Sequence, residues 1–131
     1  MKILGIGVDI IKNKRIKDLM NNKSFLNRTF GTNEVRVSKK RKDKVNYFAK
    51  RFVAKEAFAK SLGTGFRNNL NFRDIEILND KIGKPYYLIS KKIKNKINRK
   101  FKINKFSLFL SLTDEKDYSV AFTIIQTNNV K

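Results

Sequence analysis

KVNYFAKRFVAKEAFAKSL, Lys44 to Leu62, is the most strongly patterned stretch of the chain. Val45, Phe48, Ala49, Phe52, Val53, Ala57, Ala59 and Leu62 recur at helical spacing, which predicts one long helix with a broad apolar face. Gly63 and Gly65 stop it. Upstream, Ile3 to Ile11 reads as an opening strand, apolar on both faces and ended by Lys12-Asn13-Lys14. Gly5 and Gly7 inside it mark a close backbone approach or a bend. Arg15 to Met20 carries Ile16, Leu19 and Met20 on one side and predicts a short helix. Asn21 to Asp43 is polar and predicts short helices and loop, anchored by Phe25, Leu26 and Phe30.

Downstream, Ile75 to Leu78 and Tyr86 to Ile89 alternate as short strands, joined by the turn-rich run Asn79 to Pro85. Lys91 to Lys100, with Ile93 and Ile97 four residues apart, predicts a basic helix or an exposed arm. Phe106 to Thr113 and Tyr118 to Gln126 flank Asp114-Glu115-Lys116-Asp117 and predict an antiparallel hairpin, with a frayed tail after Thr127. There is no internal repeat and no linker. The expected architecture is a single α+β domain over residues 1–131, an antiparallel sheet packed with one long and several short helices.

Composition narrows the chemistry. The 131 residues include no cysteine and no histidine. That excludes disulfides, thiolate metal sites, cysteine nucleophiles, Ser-His-Asp catalysis within one chain and histidine-ligated zinc. Carboxylates, lysine, arginine, hydroxyls and the backbone remain. Lys plus Arg is 31 against 11 Asp plus Glu, a net charge of +20, which favours polyanionic partners. Ser90 to Lys105, however, is drawn almost wholly from Lys, Asn, Ile, Arg and Phe. Charge alone therefore does not choose between a polyanion-binding surface and a solvated surface of biased composition. No apolar run is long enough to span a bilayer and the N-terminus does not read as a signal peptide, so the expectation is a cytoplasmic protein with no membrane partner.

Four features could carry chemistry. Asp9 sits in an otherwise apolar strand, where a carboxylate either caps the following turn or is paired or bound to metal. Glu56 and Lys60, at i and i+4, share a helix face with Phe52. They form either a surface pair or a site in which the carboxylate binds a cation and the lysine a phosphate. Gly63-Thr64-Gly65 and Gly83-Lys84-Pro85 offer backbone N–H groups to phosphate oxygens, although neither matches a Walker A or dinucleotide fingerprint.

Taken in order, Gly5-Ile6-Gly7-Val8-Asp9-Ile10 with Arg15-Ile16, Arg51-Phe52-Val53-Ala54-Lys55-Glu56-Ala57 with Lys60, Gly63-Thr64-Gly65, Asp74-Ile75-Glu76-Ile77, Asn79-Asp80 with Gly83-Lys84-Pro85, and Ser111-Leu112-Thr113-Asp114 with Tyr118 resemble the holo-[acyl-carrier-protein] synthases. These are small bacterial 4′-phosphopantetheinyl transferases. The resemblance implies transfer of the 4′-phosphopantetheine arm of coenzyme A to a serine of apo acyl carrier protein, with release of adenosine 3′,5′-bisphosphate. It implies Mg²⁺, or Mn²⁺ in its place, held by Asp9 and Glu56, with Asp9, Glu56 and Lys60 catalytic. It further implies Arg51, Lys60, Gly63, Lys84 and Pro85 for coenzyme A, and a homotrimer with sites between subunits. Arg15 and Arg28 are candidates for docking the acidic carrier protein. The base that accepts the serine proton is left open between Glu56 and a water held by the metal. Asp114 stands where many members carry histidine, so it cannot supply an imidazole. A basic nucleic-acid-binding module is the alternative, but it leaves Asp9 and Glu56 without a task, and no nucleic acid is expected as partner.

Overall fold

The computed structural model describes residues 1–67 and 69–128. In chain order it contains β1 (Lys2–Lys12), α1 (Asn13–Leu19), α2 (Lys23–Thr29), α3 (Thr32–Ser38), α4 (Lys44–Leu62), a 3₁₀ turn (Phe72–Asp74), β2 (Glu76–Asn79), β3 (Pro85–Leu88), α5 (Lys91–Phe101), β4 (Ser107–Asp114) and β5 (Tyr118–Thr127). The fold is mixed α and β with antiparallel strands, as expected. The strands form two sheets: a three-stranded one ordered β1-β5-β4 and the separate hairpin β2-β3.

α4 is the axis. Asp43 caps its start by accepting from the Asn46 N–H at 3.0 Å. It ends at Gly63, left-handed at φ +81, where the N–H reaches the Lys60 carbonyl. Its burial extends well beyond the expected apolar face: Tyr47, Arg51, Ala54, Lys55, Phe58 and Ser61 are all buried as well. The periodicity alone misses this because two of those positions are cations that find partners inside.

β1 packs directly on α4. A Cβ at Gly5 would lie 1.9 Å from the Ser61 carbonyl oxygen, and one at Gly7 1.9 Å from that of Ala57. Of the two sequence alternatives, close approach is the one realised. One side of β1 thus carries Gly5, Gly7, Asp9 and Ile11 towards the helix. The other leaves Ile6, Val8 and Ile10 at 60, 55 and 60% exposure, next to Phe122 and Phe109 at 41 and 47%. An outer sheet face this apolar is unusual for an isolated soluble chain.

Other boundaries move by small steps. β2 and β3 begin one residue from the expected positions, and Asp114 belongs to β4, which leaves Glu115 to Asp117 as the turn. Residues 91–101 form a helix rather than an arm, because Ser90 caps it at the Ile93 N–H (3.2 Å) and Ile93 and Ile97 are buried. The tail expected to fray lies, from residue 129, outside the described residues.

A buried ion pair joins the two halves of the fold. Lys55 and Glu34 are both fully buried, with Nζ 2.6 Å from Oε1. Lys55 also donates to the carbonyls of Phe72 and Ile75. Glu34 accepts from the Gly31 and Ile77 N–H groups, each at 3.0 Å. Burial pulls the Lys55 ammonium below its usual range while the Glu34 charge opposes that shift. Removing one member would strand the other charge, at a cost of about 3–5 kcal/mol. The pair therefore locks α3, α4 and β2 together.

The contact between β1 and α4 is directly testable. Gly7→Ala should cost about 1–3 kcal/mol in urea unfolding, since a backbone carbonyl must give way. Gly63→Ala, where nothing lies within 4 Å of the added carbon, should cost only about 1–2 kcal/mol for its left-handed backbone and leave the sheet intact.

Candidate active site

Asp9, Glu56, Lys60 and Arg15 converge where β1 crosses α4. The Lys60 ammonium lies 2.9 Å from the Asp9 carboxylate and 3.1 Å from the Val8 carbonyl oxygen. Among the described residues it bridges to Asp9, not to Glu56 one turn back, so the sequence picture of a local helix pair is replaced by a cross-element one. Asp9 does not act as a turn cap, since its side chain faces the helix. Glu56 is half-buried, and its carboxyl is raised above the usual carboxylate range, first by desolvation and then by the Asp9 charge. Lys60 and Arg15 pull it back. The Asp9 charge is thus felt at Glu56, whose carboxyl resists ionisation there.

That donor set fits a hard divalent cation. Mg²⁺ takes oxygen ligands, commonly one or two carboxylates with phosphate oxygens and water. Among the described residues no three or more acidic side chains are placed to hold a metal ion together, so a cation between Asp9 and Glu56 would keep positions for other oxygens. Gly63 sits seven residues after Glu56, on nearly the same side of α4 at 3.6 residues per turn. It is exposed, with no atom crowding its Cα.

Arg51, Lys84 and Pro85 belong to a second group. Arg51 is buried, its guanidinium 4.1 Å from the Tyr47 ring centre and bonded to the Asn79 side-chain oxygen. Burial lowers its affinity for a proton while the Tyr47 and Glu34 charges oppose that. Asn79 in turn donates to the Gly83 carbonyl at 2.8 Å. Asp80 accepts from the N–H groups of Ile82 and Lys84, at 3.0 and 2.8 Å, which fixes the turn bearing Lys84. An open cavity of about 410 Å³, lined by Arg41, Lys42, Lys50, Arg51, Asn79 and Gly83 among others, lies beside this turn. Asp114 approaches from β4, 2.6 Å from Asn46 and 3.3 Å from Lys50. Arg28 lies exposed on α2, bonded to Ser24 at 3.1 Å.

Glu34 and Lys50 escape the sequence reading, and Asn79 enters it only within the turn-rich run and the resemblance, without a task. Lys55 on the helix's apolar side signals the need for a buried acid, but which of eleven acids meets it depends on tertiary structure.

With this geometry in hand, the comparisons with known proteins are specific. Residues 5–123 match the family model of the 4′-phosphopantetheinyl transferase superfamily. The holo-[acyl-carrier-protein] synthase of Pelagibacter ubique is 52% identical over 126 residues, covering 96% of this chain and 98% of that protein. Among solved structures, the Neisseria meningitidis holo-[acyl-carrier-protein] synthase superposes with a TM-score of 0.85 at 37% identity, over 96% of this chain and all of that one (100%). The Bacillus anthracis synthase, solved in complex with CoA (3′,5′-ADP), gives 0.78 at 34% identity over 94% and 96%. No helix among the described residues is long and apolar enough to cross a membrane. The chain belongs to the 4′-phosphopantetheinyl transferase superfamily and, within it, to the holo-[acyl-carrier-protein] synthases, an enzyme family.

Proposed function

We propose that the whole chain, residues 1–131, acts as one domain that moves the 4′-phosphopantetheine arm of coenzyme A onto a serine hydroxyl of apo acyl carrier protein, in the cytoplasm, with Mg²⁺ or Mn²⁺ bound by Asp9 and Glu56. The observation that carries this reading is the meeting of Asp9, Glu56 and Lys60 across two elements, 51 positions apart in sequence for the bonded pair.

Phosphoryl transfer depends on positioning and charge neutralisation more than on covalent catalysis. A divalent cation at the two carboxylates would neutralise pyrophosphate charge and fix its orientation. Asp9 and Glu56 supply the oxygens that hold it. Lys60, on a flexible stem and more than half exposed, places a positive charge beside the departing phosphate. Gly63 leaves the helix end open for a phosphate to approach the backbone. Arg51, Lys84 and Pro85 hold the nucleotide, and Arg15, with Arg28 on the next helix, steers the acidic carrier.

A homotrimer with sites between subunits belongs to the same proposal, and two observations favour it. Arg51 and Glu56 are five residues apart, which turns them about 140° from each other around α4. One nucleotide would meet both groups most simply if each came from a different copy. The exposed apolar face of β1, β5 and β4 gives those copies a surface to share.

Glu56→Gln should lower turnover by about 10²-fold or more in an assay that follows phosphopantetheine gain on the carrier by mass spectrometry. Unchanged turnover would remove Glu56 from the reaction. The variant also has a stability signature. Because Glu56 holds its proton more tightly when folded, the metal-free chain loses stability as pH rises from the unfolded carboxyl value through the raised folded one. Glu56→Gln should flatten that decline in thermal midpoint against pH.

Arg15→Gln should raise KM for the carrier about fivefold at low ionic strength, with the difference shrinking in high salt. A KM that stays put at every salt concentration would remove the docking role.

A further inference from the structure

No role above draws on α5. Six of its eleven residues are cations, Lys91, Lys92, Lys94, Lys96, Arg99 and Lys100. Its apolar pair, Ile93 and Ile97, is consumed by the core. Between this helix and the loop after Gly63 lies a cavity of about 600 Å³. Arg67 stands on the loop wall, and Lys92, Lys96, Arg99 and Lys100 on the helix wall. Leu62 and Leu70 give it apolar surface, and Thr64, Asn69 and Asn95 add neutral hydrogen-bonding groups. None of the described residues lining it is acidic. Lys92 pairs with Asp74 at 2.7 Å, outside the lining.

Cations gathered around a concave surface repel one another and focus a positive field into the hollow. An anion with several charges relieves that repulsion. The volume lies in the range of small-molecule pockets, about 300–1,000 Å³. Apolar surface beside the cations suits a ring attached to phosphates. The cavity adjoins Gly63 through Leu62 and Thr64, but none of Asp9, Glu56, Lys60, Arg51 and Lys84 lines it. Leu62 points about 160° away from Lys60 around α4, and it lies about 16 Å along the axis from Arg51.

We propose that this cavity is a second anion site, taking a nucleotide-sized ligand that carries two or more phosphate groups. Its test is calorimetric titration of the full chain with ADP at low salt. The wild type should bind ADP in a class of sites that Arg67→Glu/Arg99→Glu weakens at least about tenfold, a loss of charge-assisted hydrogen bonds. Lys2→Glu/Lys105→Glu, the same charge change on exposed residues elsewhere, should leave that class intact. Both double variants should keep wild-type transferase rates, because none of the four residues belongs to the reaction site. Arg67→Gln/Arg99→Gln gives the same comparison should the reversed charges impair folding. Equal ADP binding in all the proteins would overturn the site. So would a random single-stranded oligonucleotide that competes at lower phosphate concentration through the same residues, since the surface would then serve nucleic acid. A chain without transferase activity would count against the reaction proposed above and leave this binding measurement unaffected.

Discussion

The approach of β1 to α4 is the constraint on which the site depends. With no side chain at Gly5 or Gly7, the strand lies against the carbonyls of Ser61 and Ala57. Asp9, two residues further on, then reaches the last turns of the helix at the level of Glu56 and Lys60. Any larger residue at the glycines would lift the strand, and with it the carboxylate. The sheet register carries the same information to β5, where Asp9 pairs with fully buried Ala121. Gly7 before Asp9 and Ala121 beside it make room for the helix.

α4 carries charge on more than one side, and each side is treated differently by its surroundings. Lys55 is sealed in with Glu34 and holds elements together. Arg51 is buried against Tyr47 yet bonded, through Asn79, to the short β2-β3 hairpin. Glu56 and Lys60 remain open enough to meet a ligand. Burial with complete partners makes a strut, whereas partial burial with a neighbouring carboxylate makes a group whose charge a cation would welcome. One helix thus couples the rigidity of the scaffold to the position of the reactive groups.

Much of this was legible in the residues. The helix from Lys44 to Leu62 appears with the bounds expected from its periodicity and its closing glycine. The terminal hairpin is visible in two β-prone runs with a short acidic turn between them. Gly5 and Gly7 announced a close contact or a bend, without choosing between them or naming a partner. Lys55 and Glu34 were not legible as a pair, because twenty-one positions separate them and burial is decided by elements arriving from both sides. The one-sided exposure of β1 was hidden for a similar reason: Ile6, Val8 and Ile10 look like core residues until the sheet shows that α4 covers only the other face. The family resemblance assembled Asp9 with Glu56, whereas helix spacing alone suggested only a local pair between Glu56 and Lys60.

The central claim is that the carboxylates of Asp9 and Glu56 share one divalent cation. Crystals of the full chain grown with coenzyme A and Mn²⁺ test it through the anomalous scattering of the metal. A single peak within coordination distance of both carboxylates and of a phosphate oxygen is the result expected. A peak bound by only one of the two, or located elsewhere in every copy of the assembly, would contradict it.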